Sequence, residues 1–284
     1  MSPTPIPSAA PEATVAAAAG ERPAGTPAPD GSSELARVIG LCRHNLLLWV
    51  TDLQVVILLL GLPLIMMAFL GPIYREALQG AGVVGATGAE QAVPGMAVMF
   101  TLFAAGILGT ALHREREWNT WDRLRASGAT SAQVLTGKVL PPLLVIAGQL
   151  LLLFTVGGAM FGLRVQGSLA GLVLVAAALA AAMLALGLAM ASLVRSVTRL
   201  AAMGNAVSVT LAGLGGALTP LSVMPGWALV IAPATPSFWA MRGFQAAILE
   251  DGGLAMAATS AGVLLLFAAA LGALAAWRFR HIEM

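Results

Sequence analysis

Six long runs of apolar residues limit what this chain can fold into. They lie near residues 46–70, 94–112, 139–161, 169–193, 198–220 and 255–277. Each run is long enough to cross about 30 Å of hydrocarbon as a helix, which takes roughly 20 residues. The runs are unbroken in Leu, Ala and Val, whereas the strands of a membrane β-barrel alternate over about ten residues. The sequence therefore predicts an all-α, polytopic membrane protein with six transmembrane helices.

The low charge of the chain agrees with this prediction. Only 10% of its 284 residues are charged, whereas a soluble domain carries about 25% because its surface must face water. A protein that faces lipid instead of water does not need this many charged residues on its surface. The single cysteine, Cys42, excludes an intrachain disulfide, and the three histidines lie far apart in sequence. We therefore expect neither a metal site nor a bound cofactor.

The N-terminal segment differs from the rest. Residues 1–32 are rich in Pro, Ala, Ser and Thr, and they lack the basic start and hydrophobic centre of a signal peptide. We expect a disordered cytosolic tail at 1–32 and one six-helix transmembrane domain at 33–284. Within that domain, the apolar spacing at 33–45 favours an amphipathic helix at the membrane surface. An extension of the first span is the alternative.

The distribution of Lys and Arg predicts the orientation. With the N-terminus inside, the inner segments hold all 15 basic residues except Arg75, Arg164 and Arg242. Basic residues favour the cytoplasmic side, so both termini are expected in the cytosol and the chain in the plasma (inner) membrane. This topology needs an even number of spans, which agrees with six.

The segment between the fifth and sixth runs is apolar but rich in proline. Residues 221–245 contain Pro225, Pro233 and Pro236, which break helices, and they also contain Trp, Phe, Leu and Ile. We therefore expect a short helical outer segment of two helices against the outer membrane face. A seventh span is the alternative.

The most charged segment joins the second and third runs. Residues 113–138 interleave three acidic residues with five basic ones. Three apolar residues within the segment recur every three positions and so share one face of a short helix: Trp118, Trp121 and Leu124. Thr130 and Gln133 form a capping box for a helix that runs into the third span. The pattern predicts a structured cytosolic elbow, although each tryptophan by itself is also typical of a membrane interface.

Two segments of the chain resemble type-2 ABC exporter permeases. The elbow resembles the cytosolic loop of that family in the run Glu115-Arg-Glu-x-x-Thr-Trp-Asp-Arg-Leu-Arg-Ala-Ser and in the run Ser131-Ala-Gln-Val-Leu-x-Gly-Lys138. Asn119 and Ala129 replace the usual Gly and Pro of that loop. A second likeness is to the family's loop between spans five and six, which dips back toward the membrane. It is carried by Met224-Pro-Gly-Trp227 and Pro236-x-x-Trp-Ala-Met241.

The resemblance implies the membrane subunit of an ATP-driven exporter of the daunorubicin-exporter type. Its implied substrate is an amphipathic drug or antibiotic, with a lipid or glycolipid as the alternative. The implied partners are a separate ABC ATPase subunit, a second permease subunit that is identical or homologous, and membrane lipid, but no nucleic acid. Gly137-Lys138 is followed by Val139 and so does not complete an ATP-binding loop. We therefore expect a transport subunit and not an enzyme, with a secondary transporter as the alternative.

Two sets of site residues follow. The elbow combines charge with aromatic anchors, and Trp and Arg often dominate interface energy, so it is the predicted contact with the ATPase. The predicted coupling residues are Glu115, Glu117, Trp121, Asp122, Arg123 and Arg125. The predicted substrate path uses polar residues within the spans, namely Thr101, Gln149, Asn205 and Ser208. Helix-to-helix hydrogen bonding is the alternative role for each of these four residues.

Overall fold

The structure, a computed structural model, describes residues 51–282 apart from Asp52, 118–130, Arg195 and 251–252. Every regular element among these residues is a helix. The predicted all-α fold is therefore confirmed. The tail predicted at 1–32 and the amphipathic helix predicted at 33–45 lie outside the described residues.

Six of the described helices are long and apolar enough to cross a membrane, as predicted. We call them spans one to six: Ile57–Gly80, Ala89–Thr110, Val139–Phe161, Leu169–Leu193, Val197–Leu214 and Leu254–Phe279. Because consecutive spans run in opposite directions, the segments 81–88, 162–168 and 215–250 lie on one side of the bundle. We call that side the loop face.

Span one extends further than the sequence predicted. The predicted end was residue 70, but the helix Leu62–Gly80 continues through Gly71 and Pro72. Its beginning is a π-helical turn, Ile57–Gly61, and a second such turn, Leu153–Gly157, lies within span three. A proline lacks an N–H and usually ends a helix in water. Within a packed membrane bundle, neighbouring helices can satisfy the backbone groups that a proline frees, so the helix continues past it.

Span five ends earlier than predicted, at Leu214 instead of residue 220. Two glycines follow, and Gly216 has a φ of 83°, in the left-handed region that favours glycine. A Cβ on Gly215 would collide with the side chain of Ser237. The chain therefore turns sharply at this point and leaves the helix.

The segment after span five forms two helices, which confirms the predicted short helical segment. Gly226–Ile231 is one and a half turns long and exposes Trp227 and Val230. Pro236–Leu249 has 14 residues, and it packs into the bundle rather than on its surface. At about 1.5 Å per residue it spans roughly 21 Å, too short to be a seventh crossing of about 30 Å. We call it the inserted helix.

Span two is the centre of the bundle. In its most apolar stretch 83% of the residues are buried, compared with 22% in spans one, five and six. Glycines allow this central position, because Gly106 meets Gly204 of span five, and Gly187 of span four meets the backbone at Ala105. A Cβ on Gly187 would lie 2.6 Å from the carbonyl oxygen of Ala105. Small residues of this kind let membrane helices approach closely.

This contact predicts the effect of adding one methyl group. Gly187→Ala should destabilise the bundle by about 1–3 kcal/mol, because a backbone oxygen cannot move aside as a flexible side chain can. The matched control is Gly262→Ala in span six, whose Cβ would meet nothing within 4 Å. The measurement is the thermal unfolding midpoint of both purified variants in the same detergent. Equal midpoints for the two variants would contradict the packing argument.

Candidate functional site

The predicted coupling residues lie at the end of the central helix or beyond it. Trp121, Asp122, Arg123 and Arg125 are outside the described residues. Glu115 and Glu117 belong to the helix Ala89–Glu117, which continues seven residues past the end of span two at Thr110. The elbow is thus attached to the most buried span without a break in the helix at that point. Its contact with an ATPase stays a prediction.

The four predicted substrate-path residues do not share one surface. Thr101, Gln149 and Ser208 are buried, whereas Asn205 is exposed on span five. Contacts of Gly106 with Gly204 and of Gly95 with Ala217 show that spans two and five run antiparallel. This register places Thr101 and Ser208 at a similar depth. The Thr101 hydroxyl donates a 2.6 Å hydrogen bond to Ala97 O in its own helix.

Gln149 is a buried amide without a partner. Its side chain is 3% exposed, and neither its nitrogen nor its oxygen has a hydrogen bond within the part of the chain that the structure describes. An unsatisfied buried amide costs about 1–3 kcal/mol by mutational measures. Gln149 therefore needs a hydrogen-bonding partner, which is a water molecule, a substrate or another segment of the chain.

Asn205 is a polar group on the outside of a membrane helix. Exposed threonines of other spans bond to their own backbone, as Thr259 does to Ala255 O at 3.0 Å. The amide of Asn205 makes no such bond among the described residues. An amide facing lipid is unfavourable, because hydrocarbon offers it no hydrogen bond. This face of span five therefore suits a water-filled path or a polar contact with another subunit.

Two linked amides, the buried Gln91 and the half-buried Gln245, hold the C-terminal end of span five. Gln245 Nε2 donates a 2.7 Å hydrogen bond to Gln91 Oε1, and Gln91 Nε2 donates a 2.8 Å bond to Gly216 O. Gln91 is fully buried. The three residues belong to span two, the inserted helix and the turn after span five. We call this arrangement the glutamine clamp.

Two more hydrogen bonds fix the same end. The Tyr74 hydroxyl of span one donates a 2.8 Å bond to Leu218 O. The Ser237 hydroxyl of the inserted helix donates to Leu211 O of span five. Leu211 O also accepts a 2.9 Å bond from Gly215 N, and Leu218 lies in the turn that follows the helix, so these side chains tie the end of span five to neighbouring elements. The end of span five is consequently held from three sides.

The beginning of span two is fixed by a buried carboxylate. Glu90 is 7% exposed, and it accepts hydrogen bonds from Gly88 N at 3.0 Å and from the backbone and hydroxyl of Thr87. Thr87 in turn accepts from Ala89 N through its hydroxyl. A carboxylate at a helix N-terminus is stabilised by the free N–H groups there and by the helix dipole. The rigid start of span two positions Gln91 for the clamp.

The clamp was missed by the sequence reasoning. Thr87-Gly-Ala-Glu90 has the spacing of a capping box, which was a local signal for the buried acid. Gln91 and Gln245 are 154 positions apart, and nothing local pairs them. Among the described residues no three His, Cys, Asp or Glu side chains are grouped so as to hold a metal ion. The site consists of amides, hydroxyls and carbonyls, which can bind and orient a polar group.

A comparison with known families gives one match. A family model described as ABC-2 type transporter matches residues 38–249, about three-quarters of the chain. The match includes spans one to five and the inserted helix, and it ends before span six. None of the curated proteins searched matches the chain significantly.

Proposed function

Since the chain belongs to the ABC-2 type transporter family and is a multi-pass membrane permease of an ABC transporter, we propose that it exports an amphipathic small molecule with a separate ATPase subunit. A drug or antibiotic is the proposed substrate class. A second permease subunit, of the same chain or a homologue, is the proposed membrane partner.

The observation that carries this proposal is the exposed amide of Asn205 on span five. A lone chain would present it to lipid, where it has no hydrogen-bonding partner. A second permease subunit beside span five would enclose it, and the space between the two subunits would then be a polar path across the membrane. An amphipathic substrate matches such a path, because the exposed residues of span five near Asn205 include the polar Thr210 and the apolar Val209.

The glutamine clamp supports a role for the loop face in this path. Span five ends there, and the turn at Gly215 and Gly216 leads into the exposed helix Gly226–Ile231. The clamp fixes one end of span five against the central helix. The opposite end of the central helix carries Glu115 and Glu117, where the proposed ATPase contact begins. Motion at the elbow therefore has a continuous helical route to the clamp.

Transport measurements on Asn205→Leu test this function. With the partner ATPase present, ATP-dependent uptake of daunorubicin into inside-out vesicles should fall about two- to ten-fold. This factor corresponds to the loss of one hydrogen bond between Asn205 and the substrate or its path, which contributes ~0.5–1.5 kcal/mol. The matched control is Thr259→Val on span six, whose hydroxyl is satisfied by its own helix. A fluorescent phospholipid in a parallel assay tests the lipid alternative. Unchanged uptake of every probe by N205L, with the complex intact, would contradict a path along span five.

The orientation is a separate prediction. We propose that the loop face is extracellular and both termini are cytosolic, because the segments of the loop face hold few basic residues. In a Cys42→Ser background, an impermeant maleimide added to intact cells should label Glu250→Cys and leave Asn119→Cys unlabelled. Permeabilised cells should show labelling of both positions. Labelling of Asn119→Cys in intact cells would reverse the topology.

A further inference from the structure

A groove of about 530 Å³ opens on the side of the bundle, between the second half of span one, the start of span two and the end of span three. Its lining changes from one end to the other. The apolar end has Met67, Ala68 and Phe161, and the polar end has Arg75, Glu76, Gln79 and Thr87. The groove is therefore amphipathic along its length.

A single glycine contact shapes the groove. Gly88 has a φ of 91°, and a Cβ there would lie 2.2 Å from Gly71 O and 2.9 Å from Arg75 N. Only glycine allows the chain to return this closely to span one. The residues on either side of Gly88, Thr87 and Ala89, consequently form one wall of the groove.

The polarity of the groove follows the membrane normal. Span one has 24 residues and is about 36 Å long at ~1.5 Å per residue, longer than the ~30 Å hydrocarbon layer. The helix begins before this span, at Leu53, and Arg75 lies about 33 Å from that residue at ~1.5 Å per residue, so Arg75 and Glu76 reach the headgroup layer at the loop face. Met67 lies about 12 Å deeper than Arg75 along the helix, within the hydrocarbon. A lipid in the adjacent leaflet has the same order of polar and apolar parts.

The polar end carries two opposite charges side by side. Arg75 and Glu76 are exposed, and neither has a hydrogen bond or ion pair within the described ranges. Gln79 lies one turn further along the helix and donates a 3.3 Å bond to Ala86 O. A ligand with a single charge would leave one of the two side chains without a counter-charge. A ligand with an adjacent anion and cation matches both.

We propose that this groove binds one phospholipid whose headgroup carries a phosphate and a primary ammonium. The Arg75 guanidinium binds the phosphate, which suits its forked donors. The Glu76 carboxylate accepts from the ammonium, and the acyl chains lie along Ala68 and Phe161. The lipid fills the space between spans one and three as a bound component of the fold. This proposal does not depend on the exported substrate.

The groove discriminates against a choline headgroup. A quaternary ammonium has no N–H to donate to Glu76, and proteins usually hold it in a cage of aromatic rings. Among the described residues that line the groove, only Phe161, at the apolar end, is aromatic. The nearby Tyr74 is turned to the other side of the helix, where it bonds Leu218 O. Phosphatidylethanolamine is therefore preferred over phosphatidylcholine.

Native mass spectrometry of the purified chain in detergent tests the site without the ATPase or nucleotide. Phosphatidylethanolamine, phosphatidylcholine and phosphatidylglycerol are added separately, and we expect the first to be retained best. Glu76→Gln should remove the preference over phosphatidylcholine, a change of about two- to five-fold because exposed ion pairs are weak. Arg75→Gln should lower retention of all three lipids. Ala68→Trp, which fills the apolar end, should do the same.

The controls are exposed charges of the loop face outside the groove. Arg164→Gln and Glu250→Gln should leave the order of the three lipids unchanged. The proposal would be overturned if Glu76→Gln kept the preference for phosphatidylethanolamine over phosphatidylcholine. It would also be overturned if the parent retained phosphatidylglycerol and phosphatidylethanolamine equally. A disulfide-linked dimer of Ala68→Cys in a Cys42→Ser background would also overturn it, since a second chain would then cover the groove. Normal unfolding midpoints for all variants establish that lost lipid binding is not lost folding.

Discussion

Replacing Trp121 or Arg123 by alanine should leave the chain inserted in the membrane and weaken its contact with the ATPase by roughly 1–3 kcal/mol, the range of an interface hot spot. Energy must enter from another subunit if this chain does not bind ATP, and ATP is cytosolic. In the proposed orientation, the elbow at 113–138 is the longest cytosolic segment between spans, and it has both charge and aromatic anchors. Its first residues extend the central helix of the bundle.

The measurement is ATPase stimulation by the permease, titrated with the parent chain and with each variant. Arg164→Ala, on the loop face, is the control for loss of an exposed arginine. Both elbow variants should need more permease for half-maximal stimulation, while the control matches the parent. Parent-like stimulation by both variants would move the contact elsewhere, to the 195–199 segment or to residues 33–45.

The number and order of the spans could be predicted because each needs only about 20 apolar residues, a local property. Their ends were harder to predict. Span one was predicted to end at residue 70, but the helix passes through Gly71 and Pro72, and span five stops at Gly215 because Ser237 packs against that glycine. Both outcomes depend on neighbours that are distant in the sequence. Hydropathy alone does not identify them.

The candidate site was less predictable than the fold. Asn205 and Gln149 were identified as polar residues within apolar runs, which is a local signal. Asn205 is exposed, whereas Gln149 is buried without a hydrogen-bonding partner among the described residues, and this difference depends on how the helices pack. The pairing of Gln91 with Gln245 had no local signal. Polar residues near the ends of spans are common, and only the fold shows which of them meet.

The largest effect on stability is expected from Gln91→Leu. One hydrogen bond between membrane helices contributes only about 0.6 kcal/mol on average, because the groups find other partners when helices separate. This substitution does more, because it strands the Gln245 amide and the Gly216 carbonyl beside an apolar side chain. Each stranded buried group costs about 1–3 kcal/mol. We therefore expect a loss of roughly 2–4 kcal/mol, measured as a lower unfolding midpoint in detergent.

A double-mutant cycle separates the clamp from simple packing. Gln245→Leu alone leaves the Gln91 oxygen unpaired, whereas the double variant replaces both amides and leaves only Gly216 O without its donor. The double variant should therefore be less destabilised than the sum of the two single variants, by more than the ~0.5 kcal/mol scatter of independent sites. Gln166→Leu, which removes an exposed side-chain amide from the loop face, is the control. Additive effects would mean that Gln91 and Gln245 do not act together. A coupled clamp would hold the far end of the helix that leads to the elbow, because Gln91 and Glu117 lie about 39 Å apart along that helix at ~1.5 Å per residue.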